Sequence, residues 1–246
     1  MTVRAALALA LATALAGGPA AAQSDVAAAP SGPRYQAAYT LAQELRDEKS
    51  VMLEVSRAFE GDSLALVAQN PELAEIEKQY PGALAHMFDA ARPEVERHIV
   101  ASLPRLWSAI ATLLSAELTS AEIEAARAYY ASPSGKNLKA AMLRNYDVTQ
   151  EIAPLAKNLD AKLEPSMIRR GIESGAQDAF GELSAADKAA LMRFAGTPAF
   201  AKIRTLNQRL LQISADWSNT ADPEFEARMA TLMATAMEEF IAGKTP

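Results

Sequence analysis

Cysteine is absent from all 246 residues. No disulfide can brace the fold and no lipid can be attached through a thiol, so the chain must hold together on its apolar core alone. Histidine is scarce as well, with two residues. That leaves little scope for a Ser-His-Asp arrangement or a histidine-rich metal centre. Neither a G-x-S-x-G elbow nor a glycine-rich phosphate loop occurs. Strict apolar-polar alternation and Asn-Gly or Asp-Gly hairpin turns are missing too, which argues against strands. Basic residues form no block: 24 Lys and Arg stand against 30 Asp and Glu, a net charge of −6. A mildly acidic chain of this kind lacks the footprint of a nucleic-acid binder or of a protein that docks on anionic headgroups.

What is present begins with an address. Arg4 precedes an apolar run over 5–16, Gly17-Gly18-Pro19 breaks it, and Ala20-Ala21-Ala22 offers a small-residue cleavage site. This order predicts a signal peptide over 1–22, cut after Ala22, and a periplasmic or secreted product. The run is shorter than the ~20 residues of a membrane-spanning helix. No later stretch is expected to span a membrane. Residues 23–33, rich in small residues with Pro and Gly, read as a flexible leader. Residues 34–246 are then expected to form a single all-helical domain, dominated by the helix formers Ala, Leu, Glu, Lys and Arg.

The helix signals fall in sequence. A first helix is expected over 35–59 with a bend near Asp47, and a short one over 63–69. Asn70 caps a third, with Pro71 at its first position, running to Gln79. Pro81-Gly82 interrupts the chain before a helix over 83–91. Arg92-Pro93 is then expected to start a longer helix kinked at Pro104. Residues 138–179 read as one helix or two, parted at Pro154 or at Glu164-Pro165. Phe200, Ile203, Leu206, Leu210, Ile213 and Trp217 mark an amphipathic helix. Asp222-Pro223 begins the last one, whose stripe of Phe225, Met229, Met233, Met237 and Phe240 ends at Gly243.

One stretch stands out. Residues 117–138, ELTSAEIEAARAYYASPSGKNL, have a weaker ungapped copy at 182–203, ELSAADKAALMRFAGTPAFAKI. Thr119 and Glu122 form a capping box, Leu118 and Ile123 a hydrophobic staple, and Ser132-Pro133 a break that starts a second helix. The copy keeps the cap as Ser184 and Asp187 and the break as Thr197-Pro198, with Phe194 for Tyr129. It replaces Tyr130 with Ala195, Gly135 with Phe200 and Lys136 with Ala201. The expectation is an antiparallel helical bundle-like array containing two helix-break-helix repeats.

The run Tyr129-Tyr130-Ala131-Ser132-Pro133-Ser134-Gly135-Lys136, behind Leu118-Thr119 and Glu122, resembles the signature of a bacterial family catalogued as domain of unknown function 2059. The similarity covers 97–143. Leu118 stands where the family often has Phe, and Ile123 where it often has Leu. The resemblance implies an exported, all-helical protein with no established activity, and it supplies no catalytic residue.

Candidate sites are few. Tyr129, Tyr130, Ser132, Gly135 and Lys136 could line a small polar pocket, against the simpler account of packed tyrosines and a solvated lysine. Glu94 and His98 are spaced i, i+4 and His86 and Asp89 i, i+3, pairs that lack a third metal ligand in sequence. Met229, Met233 and Met237 share one face, read as core packing before copper binding. Glu72, Glu75, Glu77, Glu238 and Glu239 could serve acid-base chemistry on envelope glycans but read first as solvated faces. No metal or other cofactor is expected. The expected function is non-enzymatic: a binder of a protein or of a small apolar ligand in the envelope, using a groove between the two modules. An enzyme acting on envelope polymers, or a carrier of apolar ligands, is the alternative. An apolar cavity would favour the carrier, convergent carboxylates the enzyme, and a flat apolar patch a protein partner.

Overall fold

Every element of the computed structural model, which describes residues 31–158 and 161–243, is helical, and no strand occurs among those residues. The signal peptide expected over 1–22 and most of the leader at 23–33 lie outside the described residues. The helices are α1 (Pro33–Leu45), α2 (Glu48–Ala58), α3 (Gly61–Val67), α4 (Pro71–Gln79), α5 (Ala83–Glu117), α6 (Ser120–Tyr130), α7 (Pro133–Asn145), α8 (Thr149–Lys157), α9 (Pro165–Glu182), α10 (Ala185–Ala195), α11 (Pro198–Ser218) and α12 (Pro223–Ala242).

The 35-residue α5 is the spine. It packs against α1, α2, α4, α6, α11 and α12. Phe88, Ile99, Leu103, Leu106 and Leu114 lie on its buried side, each at 2% exposure or less. Side chains of this size contribute roughly 1.5–3 kcal/mol apiece when fully buried. One continuous apolar cluster runs from Ala38 in α1 through α5 to Ala236 in α12, with a satellite of Ala141, Ala179 and Leu183 between α7 and α9. Among the described residues α5 alone is long and apolar enough, by length and composition, to cross a membrane. Its buried face is the core of this bundle-like body.

Two boundaries differ from the sequence reading, one at a proline and one at a capping aspartate. Residues 83–91 and the stretch after Arg92-Pro93 are one helix, and α5 continues through both Pro93 and Pro104. Each proline removes the amide that would have bonded the carbonyl four residues back, at Asp89 and Val100. Pro93, Pro104, Asp89 and Val100 are all exposed, so water can take the freed carbonyls and the helix need not end. The 35–59 helix, conversely, is fully divided, because Asp47 caps α2 by accepting the Ser50 amide at 2.9 Å.

The 138–179 stretch is divided into three helices. Pro154 lies inside α8 and Pro165 at the first position of α9. The unforeseen break is at Asp147, whose carboxylate accepts the Thr149 amide at 3.0 Å and so starts α8. Farther on, Asn219 clasps the chain before α9, accepting from the Leu163 amide at 2.9 Å and donating to its carbonyl at 2.8 Å.

Candidate functional site

The stretches at 117–138 and 182–203 meet in the fold. Thr119 and Glu122 form the capping box on α6, and Ser184 caps α10 by accepting the Asp187 amide at 3.1 Å. Ser132 and Thr197 behave alike. Each hydroxyl donates to the carbonyl three residues back, at 2.6 and 2.7 Å, and each accepts the amide three residues on, at 3.1 and 3.2 Å. The Tyr129 and Phe194 rings, 65 positions apart in sequence, stack with centroids 4.3 Å apart and planes 10° apart.

The polar contacts around that stack come in exchanged pairs. Lys202 donates to Glu122 at 2.8 Å, while Asn137 donates to Asp187 at 3.2 Å. Arg209 reaches Glu117 at 2.6 Å, while Arg144 reaches Glu182 at 3.0 Å. Adding the same offset to Glu117, Glu122, Asn137 and Arg144 gives Glu182, Asp187, Lys202 and Arg209.

The five residues singled out in the first stretch have separate duties. Tyr129 is buried in the stack, and its hydroxyl has no hydrogen-bond partner among the described residues. Ser132 is the cap of α7. Gly135 is buried where a Cβ would overlap the Tyr129 carbonyl and come within 2.8 Å of the Tyr130 Cα, so α7 can cross α6 only without a side chain there. Lys136 is exposed on the first turn of α7. Tyr130 alone of the five faces a cavity.

That cavity measures about 400 Å³. Its walls are built by α2, α7, α8, α9 and α11, with single residues from α1, α5 and α6, and are mostly aliphatic: Val51, Leu138, Met142, Ile172 and Leu210 are among them, with Trp217 at one side. Several of these, such as Leu138, Met142, Ile172 and Leu210, are only half-buried although they sit on inward helix faces. The uncovered part of each is cavity wall.

A small polar cluster interrupts the apolar lining. Arg46, just past the end of α1, donates to both oxygens of Glu54, each at 2.8 Å. Its carbonyl accepts from the Trp107 indole at 2.7 Å, which fixes the backbone of the turn. Lys139 is held by Asp47 at 2.6 Å. Glu151, on α8, has no hydrogen-bond or ion-pair partner for its carboxyl among the described residues. Burial first, then repulsion from Glu54, push its pKa up to about 8, against a smaller opposing pull from Arg46. Burial thus favours the neutral acid form of Glu151. Burial, then the neighbouring Tyr129, push the Tyr130 phenol up to about 12. Sequence reasoning missed Arg46, Glu54 and Glu151. A signal did exist: Glu54 shares a face with Val51, Val55 and Ala58, and Glu151 with Val148 and Ile152, so each carboxyl occupies an apolar stripe.

The other candidates are otherwise engaged. Glu94 is bonded by Arg97 and, at 2.9 Å, by Arg228. His98 stacks on Phe225 at 3.9 Å, with Nδ1 3.6 Å from Asp222. His86 packs beside Phe240. No group of three or more metal-ligating side chains gathers among the described residues. Glu77 accepts the Gly82 and Leu84 amides at the start of α5, while Glu72, Glu75, Glu238 and Glu239 are exposed. Met229 and Met233 are fully buried against α5. The exposed large apolar side chains Leu53, Val100, Phe180 and Met192 lie on four different helices.

No family model, curated protein or solved structure matches the chain.

Proposed function

We propose that the protein is an exported, non-enzymatic binder that carries a small apolar molecule inside the α2–α7–α8–α9–α11 cavity. The observation that carries this reading is the cavity itself. About 400 Å³ of mostly aliphatic space falls within the ~300–1,000 Å³ of typical small-molecule sites. A void of this size between aliphatic walls forfeits packing that a ligand would restore.

The enzymatic alternative has one supporting feature, the neighbouring carboxyls Glu54 and Glu151, of which Glu151 has its pKa pushed up by burial. Glu54 has both oxygens bound to Arg46, and an aliphatic chamber does not suit a glycan, whose hydroxyls would lose their hydrogen bonds. The carrier reading is preferred for that reason. Export rests on the leader sequence, and membership of the domain of unknown function 2059 rests on residues 118–136. The exchanged pairs Glu117–Arg209 with Arg144–Glu182, and Glu122–Lys202 with Asn137–Asp187, support reading the two stretches as copies of one ancestral unit.

The test of the cavity is calorimetric titration with 1-decanol. The native chain should bind one molecule. Met142→Phe replaces a flexible wall side chain by a bulkier, rigid ring that narrows the chamber, and should weaken binding at least about tenfold. Absence of saturable binding by the native chain would overturn the proposal.

A further inference from the structure

The polar groups of the cavity do not balance. Arg46 is neutralised by Glu54 through two parallel 2.8 Å bonds, and Lys139 by Asp47 at 2.6 Å. That leaves Glu151 as a surplus carboxyl on the wall, with no cation of its own among the described residues. We infer that the cavity's ligand is an apolar amine, whose aliphatic body fills the chamber and whose ammonium takes Glu151 as counter-ion. This rests on the carrier reading above.

Three head-group classes can be compared. An anionic head would find both terminal nitrogens of Arg46 bonded to Glu54, with only the buried Nε left to donate, and would face the carboxyls of both Glu54 and Glu151. A neutral hydroxyl would be accepted but would leave the surplus carboxyl unused. A protonated amine completes the set, since a buried charge is tolerated when paired and hydrogen-bonded. Pairing converts the neutral acid to a carboxylate, so binding the ammonium releases one proton from Glu151. Burial holds that proton up to about pH 8. The charged groups facing Glu151 are Glu54 on α2 and Arg46 before it. Lys139 on α7 is tied to Asp47, and Arg169, Arg170 and Glu173 on α9 are exposed. The residues α5, α6 and α11 give to the wall are uncharged.

The experiment is calorimetric titration of the mature chain with decylamine, 1-decanol and decanoate, from pH 6 to pH 8.5, in buffers of different ionisation enthalpy. Decylamine should bind tightest. Its affinity should rise about tenfold per pH unit below pH 8, with release of close to one proton. Glu151→Gln should bind decylamine no better than it binds 1-decanol. Proton release by the native chain supplies an independent reading if the variant folds poorly. Binding of 1-decanol with no preference for the amine, or a preference for decanoate, would overturn the amine while leaving the carrier reading standing. Binding of none of the three would overturn both.

Discussion

Tyr129 buries a hydroxyl that no group among the described residues accepts from or donates to, and its equivalent on the facing helix is already phenylalanine. Tyr129→Phe removes the unsatisfied oxygen and keeps the 4.3 Å stack on Phe194. It should be neutral or stabilising by up to about 1 kcal/mol in chemical denaturation. Glu151 makes a pH prediction. Its carboxyl ionises at about 8 in the fold and near 4.5 when unfolded, so the folded state binds the extra proton between those values. Stability from this group is full below pH 4.5 and is lost as pH rises towards 8. Glu151→Gln should therefore raise Tm more at pH 8 than at pH 5. His98 has the opposite sense. Desolvation holds its pKa below 6.5 despite the Asp222 carboxylate, so its contribution is lost as pH falls below 6.5, and thermal melts of His98→Gln should lack that acid-side decline. At this scale the sequence was partly legible. Tyr130 was singled out and does line the cavity, but Glu54 and Glu151 were passed over. Their positions on apolar stripes could be read, whereas the hollow they face depends on how far apart the helices settle.

At the scale of elements, backbone approach decides the architecture. On α9, Gly175 lies so close to the end of α7 that a Cβ would overlap the Asn145 carbonyl and come within 2.8 Å of the Asn145 Cβ. One turn earlier, the Gly171 carbonyl accepts the Asp147 amide at 3.3 Å. Gly175→Ala should push α9 from α7, costing about 3 kcal/mol, or roughly 10 °C in Tm. The exposed Gly181, with open space around its Cβ position, should tolerate the same change. Thermal melts of the two variants side by side make the comparison. Capping was the most legible feature here. Asn70, Thr119, Ser132, Ser184, Thr197 and Asp222 all cap the helices that their sequence positions announce. Proline was the least legible. Whether Pro93 ends a helix or rides on it depends on whether the freed carbonyl faces water, which is settled by packing around α5 and not by local sequence.

For the whole molecule, α5 collects α1, α2, α4, α6, α11 and α12 around itself. The chamber lies on the side where α7, α8 and α9 fold back, and the Asn219–Leu163 clasp ties that layer to the end of α11. The all-α class followed from composition and periodicity. The chamber could not, because aliphatic stripes look the same whether they close on each other or on a void. Trp217 lines that space and reports on it from within. The most direct measurement is tryptophan emission of the protein during titration with 1-decanol. A saturable change with one molecule bound per chain, weakened at least about tenfold in Met142→Phe, is the expected result. An emission spectrum unmoved up to the solubility limit, or one that responds identically in Met142→Phe, would contradict the cavity as the site of function.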